Sequence, residues 1–560
     1  MRVVQWLCLR VLLCIIILIL PALAISKDKT NDKAYMGLDI SSIQPRDVNR
    51  LGLASAEGVL IIRVVKKSPV DKCGLQVDDV LVKINDAEIK SQVDFSNILS
   101  KCHSGEKATL TFTRNGETHE VDLVFGSPPK LPKAKKLSYN KNKEKQITQL
   151  LDVIDTNNKS MGSLAIANNK QLLFTRALGY KLYQDDNQYP ADVNTKYRIG
   201  SISKMFTAVM VFQLIEERKL SPQTKLSDFF PQIPNAKVIT INMMLTHQSG
   251  IFSFTEMPDY LTWSTQKRSH DEIIDRITGF PAAFNPGAKH EYSNSNYLLL
   301  GYIIEQLDKQ DYAVSLQSRI CERIGLKNTY YGGKMELANN EASSYLYLGY
   351  WEKGYETDMS VPGGAGAIVS TASDLVLFCE SLFSGELISN QSLKQMVREE
   401  DGFGSGIFKM PLGNQTYYGH TGSIDNFHSI LWYSPKDKHA IAYLSNGEAD
   451  PTLSVIALVS LIMADRIVKM PQYLKADQLG DIDRYVGTYS NQEIQMRIAV
   501  TVKDRDLYTQ GEGQPAIRLD PIDERKFTCL NLDLEIEFQP DGKSFTLKQA
   551  GSTYVFQRVE

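Results

Sequence analysis

Ser201 and Lys204, in the run Tyr197-Arg198-Ile199-Gly200-Ser201-Ile202-Ser203-Lys204, have the types and spacing of a nucleophile and its base. Positions i and i+3 lie about 60° apart around a helix, so the hydroxyl and the amine share a face. Ser203 is about 100° from Lys204 and points elsewhere. A partly desolvated lysine lowers the cost of deprotonating a neighbouring hydroxyl, which makes a nucleophile without histidine. At a helix N-terminus, free N–H groups and the dipole also favour a developing anion. An isolated Ser-x-x-Lys is far more often an N-capping serine and a solvated lysine, so the pair needs support from elsewhere in the chain.

That support follows in order. Tyr292-Ser293-Asn294 comes 91 residues after Ser201, and His420-Thr421-Gly422 comes 128 residues after Tyr292. Leu245-Thr246-His247-Gln248-Ser249-Gly250-Ile251 and Gly363-Gly364-Ala365-Gly366, the latter leading into Ser370-Thr371-Ala372-Ser373-Asp374-Leu375, lie between them. On these motifs, residues 147–470 resemble the class C β-lactamase and penicillin-binding-protein superfamily, whose members include D-Ala-D-Ala carboxypeptidases, D-aminopeptidases and esterases.

The resemblance implies acyl transfer through a serine ester. Ser201 attacks a carbonyl, and Lys204 and Tyr292 form the proton network; which of the two takes the serine proton is open at this level. It further implies that Asn294 bonds the lysine and the substrate amide. The oxyanion hole would be the backbone N–H groups of Ser201 and Ser423, with His420, Thr421 and Gly422 beside the substrate. An unperturbed tyrosine is a poor base at neutral pH, although a nearby cation would stabilise its phenolate. The chain departs from the β-lactamase pattern at His420, where a lysine is expected. A mostly neutral histidine recognises a carboxylate less well, which leaves room for esters, amides or D-amino-acid peptides.

The remaining elements must position these groups. At 560 residues the chain is too long for one core. Its 43% hydrophobic and 23% charged composition is ordinary, and a net charge of −3 gives no reason to expect nucleic acid. No His or Cys spacing suggests a metal site, and no cofactor is expected. Arg2, Arg10, the apolar run Val11–Leu20 and Ala22-Leu23-Ala24 read as a secretory signal over residues 1–24; the alternative is an uncleaved membrane anchor. Cys73 and Cys102 fall in one small domain and are candidates to pair.

Residues 35–126 alternate strand and helix signals and look like a PDZ domain of the bacterial, protease-associated kind. That likeness implies that Gly37, Leu38, Asp39 and Ile40 offer N–H groups to a peptide's C-terminal carboxylate. Residues 127–146, rich in lysine and stiffened by three prolines, read as a solvated linker. In the 147–470 region, a helix is expected over Met205–Leu220. Strand pieces are expected at Tyr417–Gly419 and Ser429–Tyr433, and a capping box at Thr371–Asp374. From about 478 to 560, strict alternation at Ile494, Met496, Ile498, Val500 and Val502 predicts a small antiparallel β-barrel, lipocalin-like by resemblance.

The expected architecture is therefore multidomain: a PDZ α+β domain, a β-lactamase/transpeptidase-like α/β sandwich with a helical lobe, and a C-terminal barrel. The function expected is an exported serine hydrolase, periplasmic or extracellular, of carboxypeptidase, D-peptidase or esterase type. Its partners would be a small-molecule or short-peptide substrate and a protein C-terminus. The alternative is a catalytically silent binding protein built on the PDZ unit. An α/β-hydrolase would need a G-x-S-x-G elbow, and Gly402-Phe403-Gly404-Ser405-Gly406 has the wrong spacing.

Overall fold

The computed structural model describes residues 34–127, 139–474 and 479–559 apart from a few loop positions. The proposed signal sequence and most of the proposed linker lie outside the described residues. The chain divides into two compact units between Lys135 and Lys136.

The first unit is an antiparallel sheet with Leu38–Ser41 at one edge, followed in space by Val59–Val64, Val80–Ile84, Lys107–Arg114 and Glu117–Val124. Its core gathers Val59, Ile61, Leu81, Leu110 and Phe112 beneath Val70 and Phe95 of two helices. The short helix Pro69–Cys73 starts where Ser68 accepts from Asp71 N–H, and stops at Gly74 in the left-handed region. Cys73 and Cys102 do not pair. They are free thiols, each 3.4 Å from a carbonyl of its own helical turn. A thiol that donates back to its own turn is not directed at a second sulfur.

The second unit holds the catalytic region and the barrel. Six antiparallel strands run in the order Gln171–Leu178, Ser160–Asn168, His439–Glu448, Phe427–Ser434, Gln415–Ile424 and Phe408–Leu412; the hairpin Tyr345–Lys353 adds at the Gly447 end. The central strands are apolar on both faces because both are covered. Ala440, Ala442 and Leu444 face the helical lobe, whereas Ile441 and Tyr443 face the helices Lys141–Thr156 and Thr452–Met463. His420-Thr421-Gly422 is thus inside the long strand Gln415–Ile424 rather than between two strand pieces.

Four boundaries differ from expectation. The nucleophile helix spans Ser203–Glu216 and ends before Leu220, where Arg218 takes a left-handed conformation. Lys141, Lys143 and Lys145 belong to the helix Lys141–Thr156 rather than to a tether. Lys143 is buried, its Nζ donating to Met463 O (2.7 Å) and Asp465 (3.1 Å). The capping box at Thr371 is half formed: Thr371 accepts from Asp374 N–H, but the Asp374 carboxylate turns to Asn328 and Thr329. Finally, Ile494 precedes the strand Met496–Lys503.

Eight strands from Gly487–Asn491 to Ser552–Arg558 close the C-terminal barrel. Tyr485, Tyr489, Phe527, Phe538, Phe545 and Phe556 fill its interior. The barrel docks through Lys159 to Asp520 (2.6 Å) and through Arg518, whose N–H donates to Leu348 O at 3.0 Å.

Candidate active site

Ser201 stands in a single 3-10 turn, Gly200–Ile202, that runs into the helix Ser203–Glu216. Gly200 has φ +49°, and a Cβ there would lie 2.8 Å from Ser423 N. Gly422 approaches from the other side, where a Cβ would lie 2.0 Å from Ile199 O. These two glycines let the third-motif strand press against the nucleophile turn. Ser429 Oγ donates to Ile199 O (2.8 Å) and fixes the same contact. Ser203 is buried, and its Oγ accepts from Ile368 N–H at 3.2 Å. Ser203 therefore holds the structure together, while Ser201 stays half exposed.

Lys204 turns back onto Ser201 as the helix geometry requires. Its Nζ lies 2.9 Å from Ser201 Oγ, 2.8 Å from Asn294 Oδ1 and 2.8 Å from Ala365 O. The side chain is buried, and burial holds its pKa well below the ordinary lysine value. A neutral amine has two N–H groups and one lone pair. Asn294 Oδ1 and Ala365 O can only accept, so they take both N–H groups, and the lone pair remains for the Ser201 hydroxyl. Asn294 is itself oriented by Nδ2 donating to Thr255 Oγ1 (2.9 Å) and by its N–H donating to Ser253 Oγ (3.1 Å).

Tyr292 lies just before the helix Asn294–Asp308, and its phenol interacts with the Ser201 hydroxyl. Its ring sits 5.0 Å from Lys204 Nζ and stacks on His247 with centroids 4.5 Å apart. Burial pushes its phenol well above the ordinary tyrosine value. Burial thus disfavours the phenolate that a neighbouring cation would stabilise, and burial of Lys204 disfavours that cation as well. His420 is buried, donates Nδ1–H to Thr421 O, and is pushed down by burial to about 3. It is a neutral imidazole where a β-lactamase has a cation. Along the strand, Gly422 is buried with His420, and Thr421 and Ser423 are exposed.

The structure brings Ser201, Lys204, Tyr292, Asn294, His420 and Ser423 to one place, and adds four contributors that sequence reasoning missed. Ala365 supplies a carbonyl to Lys204 from the glycine loop. His247 backs Tyr292, with its Nδ1 accepting from Ser293 N–H (3.1 Å). Both lie in stretches that the motif pattern had marked. Phe403 and Phe408, which pack around His290 and His420, carried no motif signal.

In the first unit, Gly37 has φ +83°, and its carbonyl accepts from Val65 N–H at 2.8 Å. Leu38 and Ile40 are half-buried against the core, and Asp39 is paired with Arg63 in the ladder. Gly37, Leu38, Asp39 and Ile40 thus open the edge strand of that sheet.

A buried amine, a serine hydroxyl and a phenol, gathered between an antiparallel sheet and a helical lobe, define an active-site-serine hydrolase. The beta-lactamase family model matches residues 150–458, and the chain belongs to that family. A PDZ domain model matches residues 34–124. Penicillin-binding protein 4* of Bacillus subtilis (strain 168) is 26% identical over 450 residues, 73% of this chain and 98% of that protein. The putative penicillin-binding protein PbpX of the same organism is 25% identical over 353 residues, 60% of this chain and 84% of its own length. Among solved structures, the D-amino acid amidase from Ochrobactrum anthropi SV3 complexed with L-phenylalanine matches with TM-score 0.51 at 25% identity. That match covers 58% of this chain and 98% of the amidase. The octameric penicillin-binding protein homologue from Pyrococcus abyssi shares the fold (TM-score 0.50, 20% identity, 74% and 99% covered). The chain is a β-lactamase-related serine hydrolase with a PDZ domain.

Proposed function

We propose that this hydrolase is exported and cleaves amide or ester bonds in short peptides or small molecules through an acyl-enzyme on Ser201. The observation that carries the reading is the buried Lys204 amine, its pKa lowered by burial, 2.9 Å from Ser201 Oγ and also bound to two groups that can only accept, Asn294 Oδ1 and Ala365 O. Lys204 takes the hydroxyl proton as Oγ attacks the carbonyl carbon. The oxyanion forms against the N–H groups of Ser201 and Ser423. As the tetrahedral species collapses, the leaving group departs with a proton passed from Lys204 by way of Tyr292. Water then attacks the ester as Lys204 again takes a proton, and Lys204 returns that proton to Ser201 Oγ as the acid leaves. Asn294 keeps the amine oriented and faces the substrate amide, and His420, Thr421 and Gly422 flank the bound chain. Residues 37–40 hold a peptide C-terminus by strand addition. Similarity to penicillin-binding proteins and to a D-amino acid amidase favours D-peptides and their amides among the substrates. Residues 1–24 supply the export signal.

Fluorophosphonate labelling tests the assignment. Wild type and Ser203→Ala are expected to label at Ser201, and Ser201→Ala is expected not to label. Absence of labelling in wild type would instead support a silent binding protein that works through its PDZ unit.

A further inference from the structure

The leaving atom receives its proton from the Lys204–Tyr292 pair, so the departing group lies on the Tyr292 side of Ser201. The walls of that side are rings. Phe408 lies 4.6 Å from His420 and 6.4 Å from Tyr292, centroid to centroid. Phe403 lies 5.6 Å from Phe408 and stacks on His290 at 5.6 Å and 7°. The bridge pairing Phe403 with Phe408 closes a tight loop through Gly404 and Gly406, whose Cα atoms leave no room for a side chain: a Cβ on Gly406 would lie 2.7 Å from Lys204 O. The loop is thereby seated on the backbone of the catalytic helix, and both phenylalanines remain half exposed.

Among the described residues, neither His420 nor the lysines that flank this wall offer a free cation. His420 is a neutral imidazole. Lys289 and Lys409, the lysines flanking these segments, are each paired with a carboxylate: Lys289 with Glu291 at 2.6 Å and Lys409 with Glu399 at 2.8 Å. A carboxylate on the departing group would lose its hydration against aromatic faces without gaining an ion pair, which is costly. An aryl or alkyl group would gain by burial and by ring contact.

Resting on the reading of Ser201 as nucleophile, we propose that Phe403 and Phe408 form the leaving-group subsite. They select neutral, apolar amines or alcohols, aryl ones above all, over leaving groups that carry a carboxylate. The carboxypeptidase type expected from the motifs is then disfavoured relative to amide and ester hydrolysis.

The test compares phenyl acetate with 4-carboxyphenyl acetate, which share one acyl group. The carboxylated phenol is the slightly better leaving group, so intrinsic reactivity runs against the expected result. Wild type is expected to favour phenyl acetate at least tenfold in kcat/KM. Phe408→Ala is expected to bring that ratio close to one, and Phe408→Lys to invert it; Phe403→Ala should narrow it. Equal turnover of the two esters by wild type, or a ratio unmoved by all three variants, would overturn the subsite. Fluorophosphonate labelling of wild type separates the two levels. Labelling without discrimination sinks only the subsite, whereas absence of labelling sinks the nucleophile assignment beneath it.

Discussion

Arg198 and Asp425 form a buried ion pair, Nη1 to Oδ2 at 2.6 Å, that ties the strand before the nucleophile to the turn after the third motif. Arg198 also reaches Glu356 at 2.8 Å and the carbonyls of Thr357 and Gly333. The second oxygen of Asp425 accepts from the N–H (3.1 Å) and hydroxyl (2.6 Å) of Thr357. These extra bonds offset the desolvation of two charges, and deleting one partner strands the other. Asp425→Ala is expected to cost about 3 kcal/mol of stability and to slow fluorophosphonate labelling, because the Ser423 backbone loses its anchor. An unshifted denaturation midpoint would show that the pair adds no net stability.

Gly200→Ala places a methyl group at the one point where the nucleophile turn meets Ser423 N. The left-handed φ adds strain for any residue with a Cβ. The variant is expected to fold but to label at least ~100-fold more slowly, the usual cost of one displaced oxyanion donor. A normal labelling rate would remove Ser423 N from the oxyanion hole.

The pH dependence follows from Lys204. Burial lowers its pKa well below the ordinary lysine value, so the free base becomes available at a lower pH than for an exposed lysine. Activity is lost only as pH falls through that lowered value. The kcat/KM for phenyl acetate is therefore expected to reach its plateau below the ordinary lysine range, with no further rise toward pH 10. Lys204→Arg puts a permanent cation where a base is needed and should lose at least ~1000-fold. A profile that climbs toward pH 10 would mean that Lys204 is charged at rest.

Glu380 is a buried carboxyl pushed up to about 7 by burial, with Oε1 lacking a partner and Oε2 accepting from Lys170 N–H in the tight turn before Gln171. Its folded pKa is raised, so its contribution to stability is full below about pH 4.5 and is lost as pH rises through 7. Glu380→Gln stays neutral and keeps an acceptor for Lys170. It is expected to be more stable than wild type by roughly 2 kcal/mol at pH 8 and no more stable at pH 4.5. Thermal melts at the two pH values check this, and a pH-independent difference would refute it.

The barrel touches the catalytic region through the hairpin Tyr345–Lys353, which continues through Gly354 to Glu356 and Thr357 at the Arg198–Asp425 pair. Arg518 donates to Tyr347 OH (2.5 Å) and packs on Gly349, where a Cβ would lie 1.8 Å from Arg518 Cβ. Gly349→Leu should separate the two surfaces and lower both the melting temperature and the labelling rate. Retained labelling with a lowered melting temperature would make the barrel a structural partner only.

Local geometry was legible in the chain itself. Ser201 and Lys204 share a face because helical pitch is set by the backbone, and Ser203 is excluded by the same angle. Strand alternation at Ile498 and Val500, and again at Leu534, Ile536 and Phe538, foretold the barrel because pleating has a fixed period of two. The resemblance of motifs added Tyr292, Asn294 and His420 to the site. What no local pattern held was environment. The pKa values of Lys204 and His420 are lowered because groups 90 to 220 residues away bury them, and desolvation depends on everything packed around a charge. The same cause put Lys143 inside a helix–sheet layer instead of a linker. Cys73 and Cys102 stay unlinked because each donates within its own turn. Carbonyl Ala365 and rings His247, Phe403 and Phe408 entered the site by tertiary packing, which alone decides which atoms from distant segments come within contact of one hydroxyl.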